Sequence, residues 1–326
     1  MPGHPSAACH YFGLQRQVLS QLSYLNSSYL TTFFFSASSS VSRAETQPWP
    51  IGVFASIDAG LGVHLDVAQE LNIPTIQLHA PHASSRTPER AKAFLAKLEQ
   101  LGIRLTAVFG GFEGESYADI PTVEQTVGLV PAATRAERLK EMKEISDFAQ
   151  LLGCPVVALH LGFVPHDRSS AAYQEIVAVT RELCSYVAGN GQNLHLETGQ
   201  ETAEALVAFM DDLAASNLFV NFDPANMILY GTGEPMSALR LLGKRVQSVH
   251  CKDGLWARNP GDEWGQEVPL GQGNVGIERY LRTLQELGYH GPLTIEREIP
   301  QERQRQKEEI AGAASLLASL RSKLLN

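Results

Sequence analysis

The chain has 326 residues, 44% of them hydrophobic and 19% charged, enough apolar material for a large core and far from the composition of a disordered protein. Its formal net charge of −9 argues against a surface built to neutralise nucleic-acid phosphates or to lie on anionic lipid, so neither nucleic acid nor membrane is an expected partner. No stretch approaches the roughly 20 apolar residues of a membrane span. The four cysteines (Cys9, Cys154, Cys184 and Cys251) are too scattered for a disulfide framework and read as reduced thiols of a cytoplasmic protein.

Residues 1–47 carry few charges, a SASSS stretch and the aromatic run Phe33-Phe34-Phe35. They read as a disordered N-terminal extension. Gln, Ser, Asn and Thr interrupt Leu14 to Phe35 too often for the unbroken apolar segment of a cleaved signal.

From residue 48 to 326, short apolar strands alternate with longer amphipathic helices, the pattern of successive βα units around a parallel sheet. Eight strands are predicted: 51–56, 75–80, 104–109, 155–160, 194–197, 218–223, 246–251 and 292–296. The clearest helices run over Pro88–Leu101, Thr134–Leu152, Ala171–Ala188, Glu201–Ala214, Ile277–Leu287 and Gln301–Leu325. Eight such units close most naturally into a (β/α)8 TIM barrel. The alternative, an open doubly wound sheet, calls for a Gly-rich phosphate turn after its first strand, and none is present; GQGNVG at 271–276 falls well after the seventh strand. The long 110–133 connection, on the catalytic side of a barrel, reads as a lid.

Side chains alternate along a strand, and the late residues of barrel strands face the catalytic mouth. Strand five therefore puts His195 and Glu197 on one face, strand six Asn221 and Asp223, strand seven Ser248 and His250, and strand eight Thr294 and Glu296. Four successive strands end with a polar residue beneath a candidate ligand, where a purely structural barrel would stack Val, Ile and Leu. Buried carboxylates need a partner, and a cation is the simplest one for Glu197, Asp223 and Glu296, with His250 adding an imidazole. This oxygen-rich set favours a divalent metal, Mn²⁺ first, with Mg²⁺, Co²⁺ or Zn²⁺ as alternatives. His79 and His160 end strands two and four on the inward phase and are candidate substrate contacts. His82, His166 and Lys252 lie in mouth-facing loops as weaker candidates, and Trp256, Trp264, Phe112 and Phe163, also in such loops, could supply apolar walls, with Arg258 close by.

The segments HLETG, NFDPAN, VHCKDG, VPLGQGNVG and LTIERE, in this order at or near strand ends, resemble the sugar phosphate isomerase/epimerase superfamily, the xylose-isomerase-like barrels, over about residues 50–320. The resemblance implies an isomerase or epimerase that moves a proton through a metal-stabilised enediolate, with Glu197 and Glu296 as both metal ligands and the acid/base pair. It implies a small carbohydrate or cyclitol substrate and allows a homo-oligomer. Inosose-type dehydration and endonuclease-like metal hydrolysis are the alternatives within the superfamily, and metal-dependent sugar binding without turnover lies outside them. Two positions depart from the relatives. Asn226 stands where epimerases and the endonuclease commonly have histidine, and Arg258 is offset from the usual place of a substrate-binding arginine, so Asn226 and Arg258 are carried as substrate-contact candidates.

Overall fold

Strands that all run the same way need a long crossover after each one, and the helices supply it. The computed structural model describes residues 48–58 and 62–325; the expectation for residues 1–47 lies outside them. The barrel strands are β1 (Ile51–Ser56), β2 (Thr75–His79), β3 (Arg104–Gly110), β4 (Val156–Leu159), β5 (Asn193–Glu197), β6 (Leu218–Phe222), β7 (Val246–Cys251) and β8 (Leu293–Ile295). Each pairs in parallel with the next, and β8 returns to β1 with Leu293 opposite Ile51, closing the ring. The predicted TIM barrel is the observed fold.

The outer helices are α1 (Leu65–Glu70), α2 (Pro88–Leu101), α3 (Arg135–Leu151), α4 (Ala171–Gly189), α5 (Ala203–Leu213), α6 (Pro235–Leu242), α7 (Ile277–Glu286) and α8 (Arg303–Leu325). Their boundaries follow local chemistry. Thr87, Ser170 and Thr202 each accept a hydrogen bond from a first-turn amide of α2, α4 and α5. Gly102 ends α2 in the left-handed conformation at φ 65°, open to glycine without steric cost. The outward residues Leu194, Leu196, Phe222, Val249 and Ile295 are buried against these helices.

Two irregularities in the ladder lie beside the inward polar layer. Between Ile76 and Gln77 the partner strand advances from Leu105 to Ala107, and between Val220 and Asn221 it advances from Val246 to Ser248. Each adds one residue to one strand, and Gln77, Asn221 and Ser248 end up among the polar groups inside the barrel. No helix among the described residues is long and apolar enough to cross a membrane.

The predicted lid is a packed wall. Residues 110–133 contain a helix, Ile120–Thr126, whose N-cap Asp119 accepts from Thr122. The buried Arg138 guanidinium donates to the Thr126 and Gly128 carbonyls and lies over the Phe112 ring. Glu115 takes the Phe112 and Gly128 amides on its two oxygens, tying both ends of the segment together.

Candidate metal centre and substrate cavity

At the C-terminal mouth, ligand atoms of Glu197, Asp223, His250 and Glu296 all lie within 4.8 Å of one another. His250 Nδ1 is 2.6 Å from Glu197 Oε1, 3.0 Å from Glu296 Oε2 and 3.5 Å from Asp223 Oδ2. The local fold divides the labour of Asp223. Its Oδ1 accepts from the Ala225 and Asn226 amides as N-cap of the short helix Pro224–Tyr230, while its buried Oδ2 has no donor and faces the cluster. A buried carboxylate oxygen without a partner is costly, and three carboxylates with one imidazole are the donor set of a hard divalent cation. The residues present therefore fit a metal.

The electrostatics describe the same compression. Burial pushes the Glu197 carboxyl up, but the charges of His160 and His250 outweigh it and hold the group at about 2. Burial likewise raises Glu296, yet Lys252 and His250 bring it well below its usual range. Asp223 ends high, at about 6, because burial dominates there.

Above the cluster is a cavity of about 180 Å³. His160 reaches it from the end of β4, with Nε2 3.0 Å from Glu197 Oε2 and Nδ1 3.1 Å from Gln200 Nε2. Burial pushes His160 down, but the Glu197 charge overrides it and lifts the imidazole to about 9. His79, held neutral by burial with a pKa of about 4, leaves Nδ1 without a hydrogen-bond partner. Gly111 packs against that ring so tightly that an added Cβ would stand 2.6 Å from its Nε2. Asn226 Nδ2 reaches Glu197 Oε1 at 3.4 Å, and Lys252 Nζ bridges Glu296 at 3.4 Å and Glu298 at 3.3 Å.

Trp256 and Arg258 lie off the cavity wall and are exposed. Both fall at the start of a hairpin connection, after Asp253–Leu255, which pairs antiparallel with Gln266–Val268. Trp264 lines the cavity, 4.5 Å ring to ring from Tyr230. Phe163 packs behind Tyr230, His82 and His166 are not on the wall, and Phe112 serves the wall of the long connection. The sequence reading missed Glu115, Tyr117, Tyr230, Glu267, Arg297 and Glu298, all cavity-lining. Arg297 and Glu298 follow Glu296 directly, so their place after a strand end was a usable signal; Glu115 and Tyr117 sit in the long connection, Tyr230 ends the short helix Pro224–Tyr230 and Glu267 lies in the hairpin strand Gln266–Val268, none of which the barrel periodicity marks.

GQGNVG has a structural partner inside the chain. Asp253 takes the amides of Gly254 and Val275 on Oδ1 and those of Gly271 and Gly273 on Oδ2, occupying the donors that an anion would use. Gly273 has no room for a side chain, since a Cβ would stand 2.2 Å from Asp253 Oδ1. Replacing Asp253 with alanine removes all four acceptances, and the expected loss of stability is about 3 kcal/mol, read as a lower urea midpoint. A change below about 1 kcal/mol would show that the loop is held elsewhere.

Comparison with known proteins agrees with this architecture. A family model described as a xylose isomerase-like TIM barrel matches residues 65–322. The solved structure of a xylose isomerase domain protein from Planctomyces limnophilus is 59% identical, with a TM-score of 0.84, and the match covers 86% of this chain and 99% of that one. An L-ribulose 3-epimerase from Methylomonas sp. (strain DH-1) is 26% identical over 166 residues, 48% of this chain and 54% of the relative, so the chain spans about half the length of the curated relatives it matches. A xylose isomerase-like TIM barrel protein from Mycobacterium smegmatis, solved in complex with magnesium, shares the fold at 18% identity and a TM-score of 0.57, the match covering 83% of this chain and 98% of that one.

Proposed function

Because the chain belongs to the xylose isomerase-like TIM barrel family, we propose that it is a divalent-metal-dependent epimerase or isomerase of an unphosphorylated sugar, keto-sugar or small hydroxy-carbonyl compound. The observation that carries this reading is the convergence of three carboxylates on His250 Nδ1, with Asp223 Oδ2 buried and without a donor. The epimerase relative from Methylomonas supports the reaction class. Mn²⁺ is the proposed ion, with Mg²⁺, Co²⁺ and Zn²⁺ able to use the same donors.

When bound, the cation polarises a carbonyl and its neighbouring hydroxyl, acidifying the C–H between or beside them. Glu197 and Glu296 take and return the proton. For Glu197 the geometry separates two tasks: Oε1 faces His250 and the cluster, while Oε2 faces His160 and the cavity. Glu296 follows β8, which flanks the His250 strand β7 on the side away from β6 and β5, the strand of Glu197, so the two carboxylates can address opposite faces of one carbon. His79 and His160 orient substrate oxygens. Lys252 supplies a fixed positive charge beside them: burial pushes its pKa down, but Glu296, Glu267 and Glu298 hold the ammonium charged.

The wall argues for a neutral substrate. Glu115, Glu197, Glu267, Glu296 and Glu298 line it against Lys252 and Arg297, and Arg297 is already paired with Glu267 at 2.8 Å. A phosphate would find neither side-chain cation free, since Lys252 is likewise engaged with Glu296 and Glu298. The same acidity disfavours a nucleic-acid phosphodiester, the hydrolase alternative.

The test is deuterium wash-in with the Mn²⁺-loaded protein and a panel of free ketoses, hydroxypyruvate and inososes in D₂O. Solvent deuterium is expected at a carbon next to the carbonyl, with product of unchanged mass apart from the label. Loss of water would move the reading to a dehydratase, and bound metal without exchange in any compound would remove the proton-transfer reading for that panel.

A further inference from the structure

We propose that Gln77 is a positioning residue for the metal centre: it keeps the His250 ring hydrogen on Nε2, so that Nδ1, which faces the carboxylates, is the nitrogen whose lone pair is freed for the cation when the metal displaces its proton. The inference rests on the metal-centre reading above. Gln77, Asn221 and His250 are all buried inside the barrel, in layers where packed apolar side chains are the ordinary filling. Gln77 Oε1 lies 2.7 Å from His250 Nε2, and Gln77 Nε2 donates to Asn221 Oδ1 at 3.2 Å. The relay runs from β2 across the interior to β6 and β7.

Its chemistry has one direction. An amide oxygen accepts and never donates, so the imidazole nitrogen facing it carries the hydrogen; a neutral imidazole has one N–H, which leaves Nδ1 as the free lone pair. Nδ1 is the nitrogen that faces Glu197, Glu296 and Asp223. In this arrangement Asn221 Oδ1 takes the Gln77 NH₂ and leaves Oε1 turned to the ring, while Asn221 Nδ2 is buried without a partner. With the Gln77 amide reversed, its NH₂ would face His250 Nε2, move the ring hydrogen to Nδ1 and put it where the cation belongs. A partner that accepts from the far N–H of a ligating histidine fixes ring orientation and raises ligand basicity.

Two variants separate acceptance from space-filling. Gln77→Met keeps an unbranched chain of similar length without the acceptor, and Gln77→Glu keeps an acceptor at the same reach. Mn²⁺ titrations followed by the EPR signal of free Mn²⁺ should show the methionine variant binding about 10–100-fold more weakly than wild type and the glutamate variant within about threefold of it. Wild-type affinity in the methionine variant, or equal weakening in both, would overturn the proposal. A measurement on the unaltered protein stands apart from any folding defect: in the Zn²⁺-loaded form, histidine ¹⁵N NMR should show His250 protonated at Nε2, and a proton on Nδ1 would overturn the assignment. Failure of the wild-type protein to take up Mn²⁺ or Zn²⁺ at all would overturn the metal-centre reading itself, and this proposal with it.

Discussion

Replacing Glu197 with glutamine is expected to lower turnover about a thousandfold, within the range that a positioned acid or base contributes. The amide keeps the size and one acceptor oxygen but can no longer take a proton. Oε2 is the atom at stake, because it faces the cavity beside His160, 3.0 Å away, while Oε1 stays against His250. Glu296→Gln is expected to fail as severely, and the two variants should differ in what they retain. If each carboxylate serves one face of the reacting carbon, each single variant loses net conversion yet still exchanges solvent deuterium into the one epimer that its surviving carboxylate can deprotonate. The measurement is NMR of each epimer incubated separately with each Mn²⁺-loaded variant, with bound metal verified first. Loss of exchange for both epimers in both variants would mean that the carboxylates act only as metal ligands, and the two-base reading would fall.

What was legible in the sequence has a physical boundary. The alternation of strand side chains placed Glu197, Asp223, His250 and Glu296 on one face of four strands, and the structure brings all four together within 4.8 Å. That inference needed only the period of a strand and the rule that barrel mouths sit at strand ends. The polar layer beneath, including Gln77, Asn221 and Ser248, was readable for the same reason, even though two ladder irregularities lie next to it. Loops obey no such period. Trp256 and Trp264 are eight positions apart in one hairpin connection, and only the long-range packing of Trp264 on Tyr230 goes with its place on the cavity wall while Trp256 is exposed. The 110–133 connection looked like a lid from its length, glycines and prolines. What pins it, the Arg138 guanidinium and the Glu115 carboxylate, comes from long-range contacts that neither composition nor spacing displays.

The affinity of the centre for Mn²⁺ is expected to rise about tenfold with each pH unit through the neutral range, because the cation and a proton compete for one nitrogen. Burial pushes the His250 imidazole down, but the charges of Glu197 and Glu296 outweigh it and raise the group well above its ordinary value. The metal-free cluster therefore keeps a proton on His250 near neutrality, and loading must release it. Asp223, raised to about 6 by burial, adds a second proton below that pH, so the dependence should steepen in acid. The effect on stability has a definite sign. A histidine whose folded pKa is raised stabilises the metal-free fold fully below its unfolded pKa of about 6.5, and that contribution is lost as the pH climbs through the folded value. Mn²⁺ then takes over the proton's role, and at about a hundredfold excess over its Kd it adds about 2.7 kcal/mol at any one pH. At a fixed Mn²⁺ concentration, the rise in Tm over an EDTA-treated sample should consequently be larger at pH 8 than at pH 6. Calorimetry in two buffers of different ionisation heat should count about one proton released per Mn²⁺ near neutrality. A Kd that does not move between those two pH values, with no proton released, would show that the cation binds away from His250.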